Sequence, residues 1–197
     1  MSDEETLKIY ATQSENYAAL TDDDLSSDPL LVEFIAALPR GGSALDLGCG
    51  PGTAAGVMAN AGLSVHATDA VPEMIALAAQ HPLVHAEVQT FDQITGTALY
   101  DGIWANFSLL HAQRSALPTI LRALHTALKP NGYFHIGMKL GDTTARDSIG
   151  RQYTYVTEPE LRALLGTAGF TITKKHTGSG KGLDGTYADW IALAAYG

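Results

Sequence analysis

The stretch S-A-L-D-L-G-C-G-P-G-T-A-A, residues 43–55, constrains the fold more than any other part of the chain. A short apolar run with one aspartate passes directly into Gly48, Gly50 and Gly52, and small helix-compatible residues follow. That composition describes a strand, a tight turn and a helix. The glycines adopt conformations closed to other residues and hold no Cβ between backbone and ligand. Such a turn belongs at the carboxyl end of a strand in an open parallel sheet, where ligands bind at the point of reversed strand order.

The remainder of the chain repeats the alternation. Residues 43–48, 64–69, a part of 83–91, 100–107 and 132–139 read as five parallel strands. Helical segments fall at 52–60, 72–80 and 115–128, with Pro72 suited to a first turn and Lys129-Pro130-Asn131-Gly132 as a stop. The polar stretch 140–156 reads as a long loop, of the kind more often functional than idle. Thr157 caps a further helix with Pro159 in its first turn. Residues 170–176 and 187–196 have no helix between them and form an antiparallel hairpin at the sheet edge. Before the first strand, Leu7, Tyr10, Ala11, Tyr17 and Leu20 have helical spacing, and Asp28-Pro29 opens another helix. The expectation is an α/β, doubly wound, seven-stranded and mostly parallel sheet with helices on both faces. It forms a single domain, 1–197, that includes an N-terminal helical segment, 1–40.

At 197 residues and 46% apolar content the chain buries a sizeable core. Its 21 acidic against 12 basic side chains leave a net charge of −9, which repels phosphate backbones and anionic lipid. Cys49 is the one cysteine, so no disulfide framework or cysteine metal site is available. His66, His81, His85, His125, His135 and His176 are scattered without metal-ligand spacing, and no metal is expected. No apolar run approaches the ~18 residues that span a bilayer, and M-S-D-E-E-T lacks the character of a secretory signal. A soluble cytoplasmic protein is the reading, as monomer or homodimer.

Asp69 closes the second strand, 17 residues beyond Gly52. A carboxylate there accepts both hydroxyl hydrogens of a ribose, so glycine turn and aspartate together indicate a nucleoside-containing cofactor. NAD and S-adenosylmethionine both qualify. A dinucleotide turn reads G-x-G-x-x-G, but here the sixth place is Thr53. Asp46 lies two residues before the first glycine. It repels a pyrophosphate and attracts the cationic methionine part of S-adenosylmethionine, unless it serves only the loop's own amides.

These residues resemble the class I S-adenosylmethionine-dependent methyltransferases, and specifically their small bacterial members, over almost the whole chain. A-L-D-L-G-C-G-P-G, with Cys49 inside it, is similar to the first motif of that family. H-A-T-D-A-V-P-E-M-I (66–75) resembles the second, which implies Asp69 on the ribose, Ala70 beside it and Met74 against the adenine. Y-D-G-I-W-A-N-F-S-L-L-H (100–111) and A-L-K-P-N-G-Y-F (127–134) resemble the fourth-strand motif and the turn into the fifth strand. The resemblance implies the strand order 3-2-1-4-5-7-6, with the last strand antiparallel. It further implies that the Tyr10 to Tyr17 segment folds over the cofactor as a lid. Thr90 and Phe91 then fall at the adenine, with its amino contact open between the Thr90 backbone and Asp92. Asn106 falls near the methionine carboxylate and the methyl centre, or ties down the strand end.

Methyl transfer from a sulfonium is an in-line displacement in which alignment alone can be worth ~7–11 kcal/mol. A general base is required only for a protonated acceptor. His111 is the candidate, with capping or packing of the next helix as its other reading. Arg146, Arg151, Tyr153 and Tyr155 in the 140–156 stretch suit a pocket for an anionic acceptor, or else pack and solvate that loop. Trp104 and Trp190 read as core. Asn106-Phe107-Ser108-Leu109 lacks the prolines that the resemblance would require for nucleic-acid base methylation. The expected function is methyl transfer to a small molecule. The alternatives are a cofactor-binding module without catalysis and a nicotinamide-dependent oxidoreductase.

Overall fold

The computed structural model describes residues 3–20 and 25–197. In the helical segment 1–40, residues 1, 2 and 21–24 lie outside that description. Three helices precede the sheet: α1 (Glu4–Thr12), α2 (Ser14–Leu20) and α3 (Pro29–Ala37). Their starts are written locally. The Asp3 carboxylate accepts the Thr6 amide hydrogen, and Asp28 accepts those of Leu30 and Leu31 ahead of Pro29.

The main body then alternates β1 (Ser43–Leu47), α4 (Thr53–Asn60), β2 (Ser64–Asp69), α5 (Pro72–Ala78), β3 (Val84–Val88) and β4 (Tyr100–Asn106). It continues with α6 (Leu117–Ala127), β5 (Leu128–Lys139), β6 (Thr144–Arg146), β7 (Gln152–Thr154), α7 (Glu158–Ala168), β8 (Thr171–Lys181) and β9 (Tyr187–Tyr196). Seven strands form one sheet in the order β3-β2-β1-β4-β5-β9-β8, with β9 antiparallel to both of its neighbours. This agrees with the expected topology.

Three details differ from the sequence reading. The 140–156 stretch is not an irregular loop, because β6 and β7 pair within it as a separate antiparallel hairpin. The α4 helix begins after Gly52, whose left-handed backbone serves as its N-cap. The β5 strand starts at Leu128 and carries the Lys-Pro-Asn-Gly turn inside a bulge between Tyr100 and Gly102 of β4, with Asn131 at φ 62°. Period-based reading sees the turn residues but not the partner strand that pairs around them.

Alternating residues of each strand feed apolar layers on opposite faces. One layer packs Leu45, Ile103, Phe134 and Leu193 under α6 and α7. The α6 helix buries Leu117, Ile120, Leu121, Leu124 and Ala127, a stripe at helical spacing. The other layer packs Ala44, Val65 and Trp104 against α3 and α4, with Phe34 edge-on to Trp104 at 5.3 Å. Burying each such side chain stabilises the fold by about 1.5–3 kcal/mol. Among the described residues, no helix is long and apolar enough to cross a membrane.

Candidate functional site

The β1 strand ends on Leu47, and the chain reverses through Gly48 at φ +70° and Gly50 at φ +54°. A Cβ on Gly48 would stand 2.4 Å from that of Ser108, so no other residue fits against the β4 end. The Gly48 and Cys49 amides donate to the Thr68 carbonyl, and the Gly50 amide donates to Asp69 Oδ2 at 3.0 Å. Asp69 Oδ1 accepts from the Val71 amide at 2.9 Å. The aspartate at the end of β2 therefore holds the glycine turn in shape and still presents lone pairs outward.

A cavity of about 370 Å³ opens at these strand ends. Of the residues singled out from the sequence, Tyr17, Asp46, Gly48, Cys49, Gly50, Asp69, Ala70, Met74, Phe91 and Asn106 line it. Gly52 and Thr90 stand outside the lining. Gly52 backs onto Ala78 of α5, and Thr90 exchanges capping hydrogen bonds with Gln93. Asp92 is likewise absent from the lining. Trp104, Phe107 and Ser108 join the wall without having been marked as cofactor residues; β4 and the turn after it bring them in.

Asp46 is the electrostatic centre of this cavity. It is 3% exposed, and among the described residues its Oδ2 has no hydrogen-bond partner. Burial, and then the neighbouring Asp69, push its carboxyl up to about 7. A buried carboxyl with an orphaned oxygen is expensive to leave alone and is satisfied by a cationic group. Ser108 Oγ, also buried and without a partner, lines the same wall. Asn106 Oδ1 accepts from His135 Nε2 at 3.1 Å, so the amide is oriented from behind. Burial holds His135 down to about 3 and hence neutral.

A second cavity, of about 490 Å³, abuts the first, and both are lined by Tyr10, Tyr17, Phe107 and His111. Phe107 at this junction has φ 54°, a conformation that a bulky side chain rarely adopts and that marks local strain. Arg151 and Tyr153 line the second cavity, together with Lys139, Lys181 and Trp190. Trp190 is thus a half-buried wall residue, whereas Trp104 is buried and stacked on His135 at 3.8 Å. Arg146 and Tyr155 line neither cavity. Arg146 instead forms ion pairs with Asp3 and Glu5 of the N-terminal segment. The Tyr155 carbonyl receives Arg114.

His111 lies at the junction in a defined tautomer. Its Nδ1 is 2.8 Å from the Gln152 carbonyl, which only accepts, so that nitrogen carries the proton. Its Nε2 therefore accepts from the Tyr10 hydroxyl at 2.9 Å, and Arg151 Nη1 donates to the same hydroxyl at 2.7 Å. Arg151, 2% exposed, is anchored by Asp147 with Nη2 2.7 Å from Oδ2. Burial, assisted by Arg151 and Lys139, lowers His111 to about 4.

The histidines hold one further surprise. Ligand atoms of His66, His85 and Glu87 lie within 4.8 Å of one another on β2 and β3. No sequence spacing announces this cluster, because adjacent strand register creates it. None of the three lines either cavity.

Residues 26–175 match the model of a family described as a methyltransferase domain. A curated relative, the ubiquinone biosynthesis O-methyltransferase of Xanthomonas axonopodis pv. citri, is 32% identical over 115 residues. That alignment takes in 53% of this chain and 47% of the relative, so the chain matches about half of the relative's length. Among solved structures, the Burkholderia thailandensis 1,6-didemethyltoxoflavin-N1-methyltransferase, with its substrate and S-adenosylhomocysteine bound, superposes with a TM-score of 0.80. It is 25% identical, and the match covers 98% of this chain and 87% of that one. The [4+2]-cyclase SpnF has the same fold at 18% identity and a TM-score of 0.70, covering 86% and 80% of the two chains.

Proposed function

The chain belongs to the methyltransferase-domain family, whose cofactor is S-adenosylmethionine, and from that premise we propose that it methylates a small molecule held in the second cavity. One observation carries the reading. Two cavities share a wall, and the first of them contains a buried carboxyl with an unsatisfied oxygen.

The residues present fit the cofactor. Asp46 and the orphaned Ser108 hydroxyl suit its charged amino-acid end, and Asp69 suits the ribose. Met74 and Phe91 supply apolar surface for the base. When bound, S-adenosylmethionine supplies a methyl group on a positively charged sulfur. The pyrophosphate of a dinucleotide would meet Asp46 instead, which disfavours the oxidoreductase alternative.

The chain's own contribution is alignment and exclusion of water. Tyr10 and Tyr17 cover the junction from α1 and α2, their rings 5.5 Å apart and edge-on. His111 and Arg151 grip the Tyr10 hydroxyl from below. In this closed arrangement the imidazole positions Tyr10, because its one lone pair is already engaged.

Parallel calorimetric titrations with S-adenosylmethionine, S-adenosylhomocysteine and NAD test the reading. Binding of the first two without the third is expected. Asp69→Asn, which retains one acceptor for the loop amides, should weaken S-adenosylhomocysteine at least tenfold without altering the circular dichroism. NAD binding in place of the sulfur compounds would overturn the proposal.

A further inference from the structure

We infer that the second cavity selects a planar, weakly acidic acceptor and holds it as its anion, with the Lys139 ammonium against the deprotonated atom. This rests on the methyl-transfer reading for the word acceptor, but its physical basis is independent of that reading.

The first observation is charge. In a chain of net charge −9, three of the 12 basic side chains (Lys139, Arg151 and Lys181) line this one cavity, and among the described residues no carboxylate is part of its lining. The second is that the half-buried lysine among these cations is uncommitted. Arg151 is neutralised by Asp147. Lys139 ends β5 half-buried, and among the described residues it forms no ion pair. Its Nζ lies 4.1 Å above the centre of the Tyr153 ring, while Asp184, whose Oδ1 borders the same Gly182 position, and Asp147 act on it without reaching ion-pair distance. Burial and the Arg151 charge both weigh against the ammonium, so an arriving anion relieves an existing cost.

The third observation is shape. Phe107 and Trp190 meet edge-on at 6.0 Å, and Tyr153 supplies a third ring. Along β8, the T-G-S-G-K-G run removes side chains from the neighbouring floor. A Cβ at Gly178 would stand 2.4 Å from the Trp190 ring, and one at Gly182 would stand 2.9 Å from Asp184 Oδ1 and 3.3 Å from Lys139 Nζ. Aromatic walls over a glycine floor form a slot for a flat ring, and the volume lies within the usual range for small-ligand sites.

The fourth is the missing base. The His111 lone pair is taken by Tyr10, so the junction holds no free proton acceptor among its imidazoles. An acceptor that ionises to bulk water, its anion stabilised by Lys139, needs none. Phenols and ring N–H acids near neutrality meet that requirement. Aliphatic alcohols do not.

The test uses the full chain loaded with S-adenosylhomocysteine, and two probes whose absorbance reports ionisation, 4-nitrophenol and 7-hydroxycoumarin. The bound probes should ionise about one to two pH units below their free values, as for an acid beside a cation at close range. Quenching of tryptophan emission should report occupancy beside Trp190. Lys139→Met should abolish the shift and weaken anion binding at least tenfold, with S-adenosylhomocysteine affinity unchanged, and Lys139→Arg should restore most of both. Equal binding of neutral 4-nitroanisole, survival of the shift in Lys139→Met, or binding of neither probe would overturn the inference. Failure of S-adenosylhomocysteine to bind, with the probe shift intact, would sink the methyl-donor reading and leave the anion site standing.

Discussion

Asp46 concentrates the chemistry of the site in one carboxyl. Its folded value, about 7, lies far above that of the unfolded chain. The sign follows directly. Between about pH 4 and pH 7 the unfolded chain has released this proton and the ligand-free folded chain has not, so Asp46 lowers stability as pH rises. A cationic ligand reverses the preference because it stabilises the ionised form. Affinity for S-adenosylhomocysteine, through its α-ammonium, should therefore rise from pH 5 to pH 7 by up to about tenfold per pH unit and level off above that. In Asp46→Asn the calorimetric profile should be flat, and weaker at the alkaline end. Asp46 was legible in the sequence because its distance from the glycine turn is purely local. The Tyr10–His111 contact, 101 residues apart, was not. Nothing local to His111 announces that its lone pair is already engaged.

At the scale of elements, α1 and the β6–β7 hairpin form one roof. Several contacts join them. Arg146 pairs with Asp3, the Gln152 amide donates to Thr6 Oγ1 at 2.8 Å, and Arg151 reaches Tyr10. They differ in weight. The Arg146 pair is exposed, and such pairs contribute about 0–1 kcal/mol, so Arg146→Ala should leave the melting temperature nearly unchanged. Thr6 is 1% exposed, and Thr6→Val leaves the partly buried Gln152 amide without its acceptor. That costs about 1–3 kcal/mol and should accelerate hydrogen exchange in α1 more than in β4 or β5. The hairpin itself escaped sequence reading because β6 and β7 are three residues each, too short to show a period. Only their mutual pairing, with α1 laid across them, makes them strands.

The whole molecule rests on two apolar layers that share one sheet, and α3 belongs to them more than to the roof. Phe34 is fully buried between Trp104 and Tyr133, and Glu33 of the same helix accepts from the Tyr133 hydroxyl and pairs with Lys174 of β8. The segment ahead of β1 thus divides. Its first two helices border the cavities, and its third helix lends Leu31 to the wall of the first cavity but mainly closes the core beneath Trp104, which floors that cavity. Phe34→Ala should cost about 3–5 kcal/mol in denaturant unfolding and reduce cofactor affinity as a secondary effect of a displaced Trp104. A loss of stability without any change in affinity would separate the core from the site.

The sequence by itself determined the strand and helix order, the glycine turn and the two aspartates, because each follows from local spacing or from backbone demands within a few residues. Alternation of short strands with helices leaves few topologies other than a doubly wound sheet. Tertiary structure decided which side chains share a space. Lys139 from the end of β5, Trp190 from β9 and Tyr10 from α1 meet in one chamber, although no spacing relates them. Arg146 and Arg151, five residues apart in the same stretch, part company because the turn of a hairpin sends one to solvent and the other inward. A binding pocket is assembled from the ends of many elements, so its contents are a property of their packing rather than of any single stretch of chain.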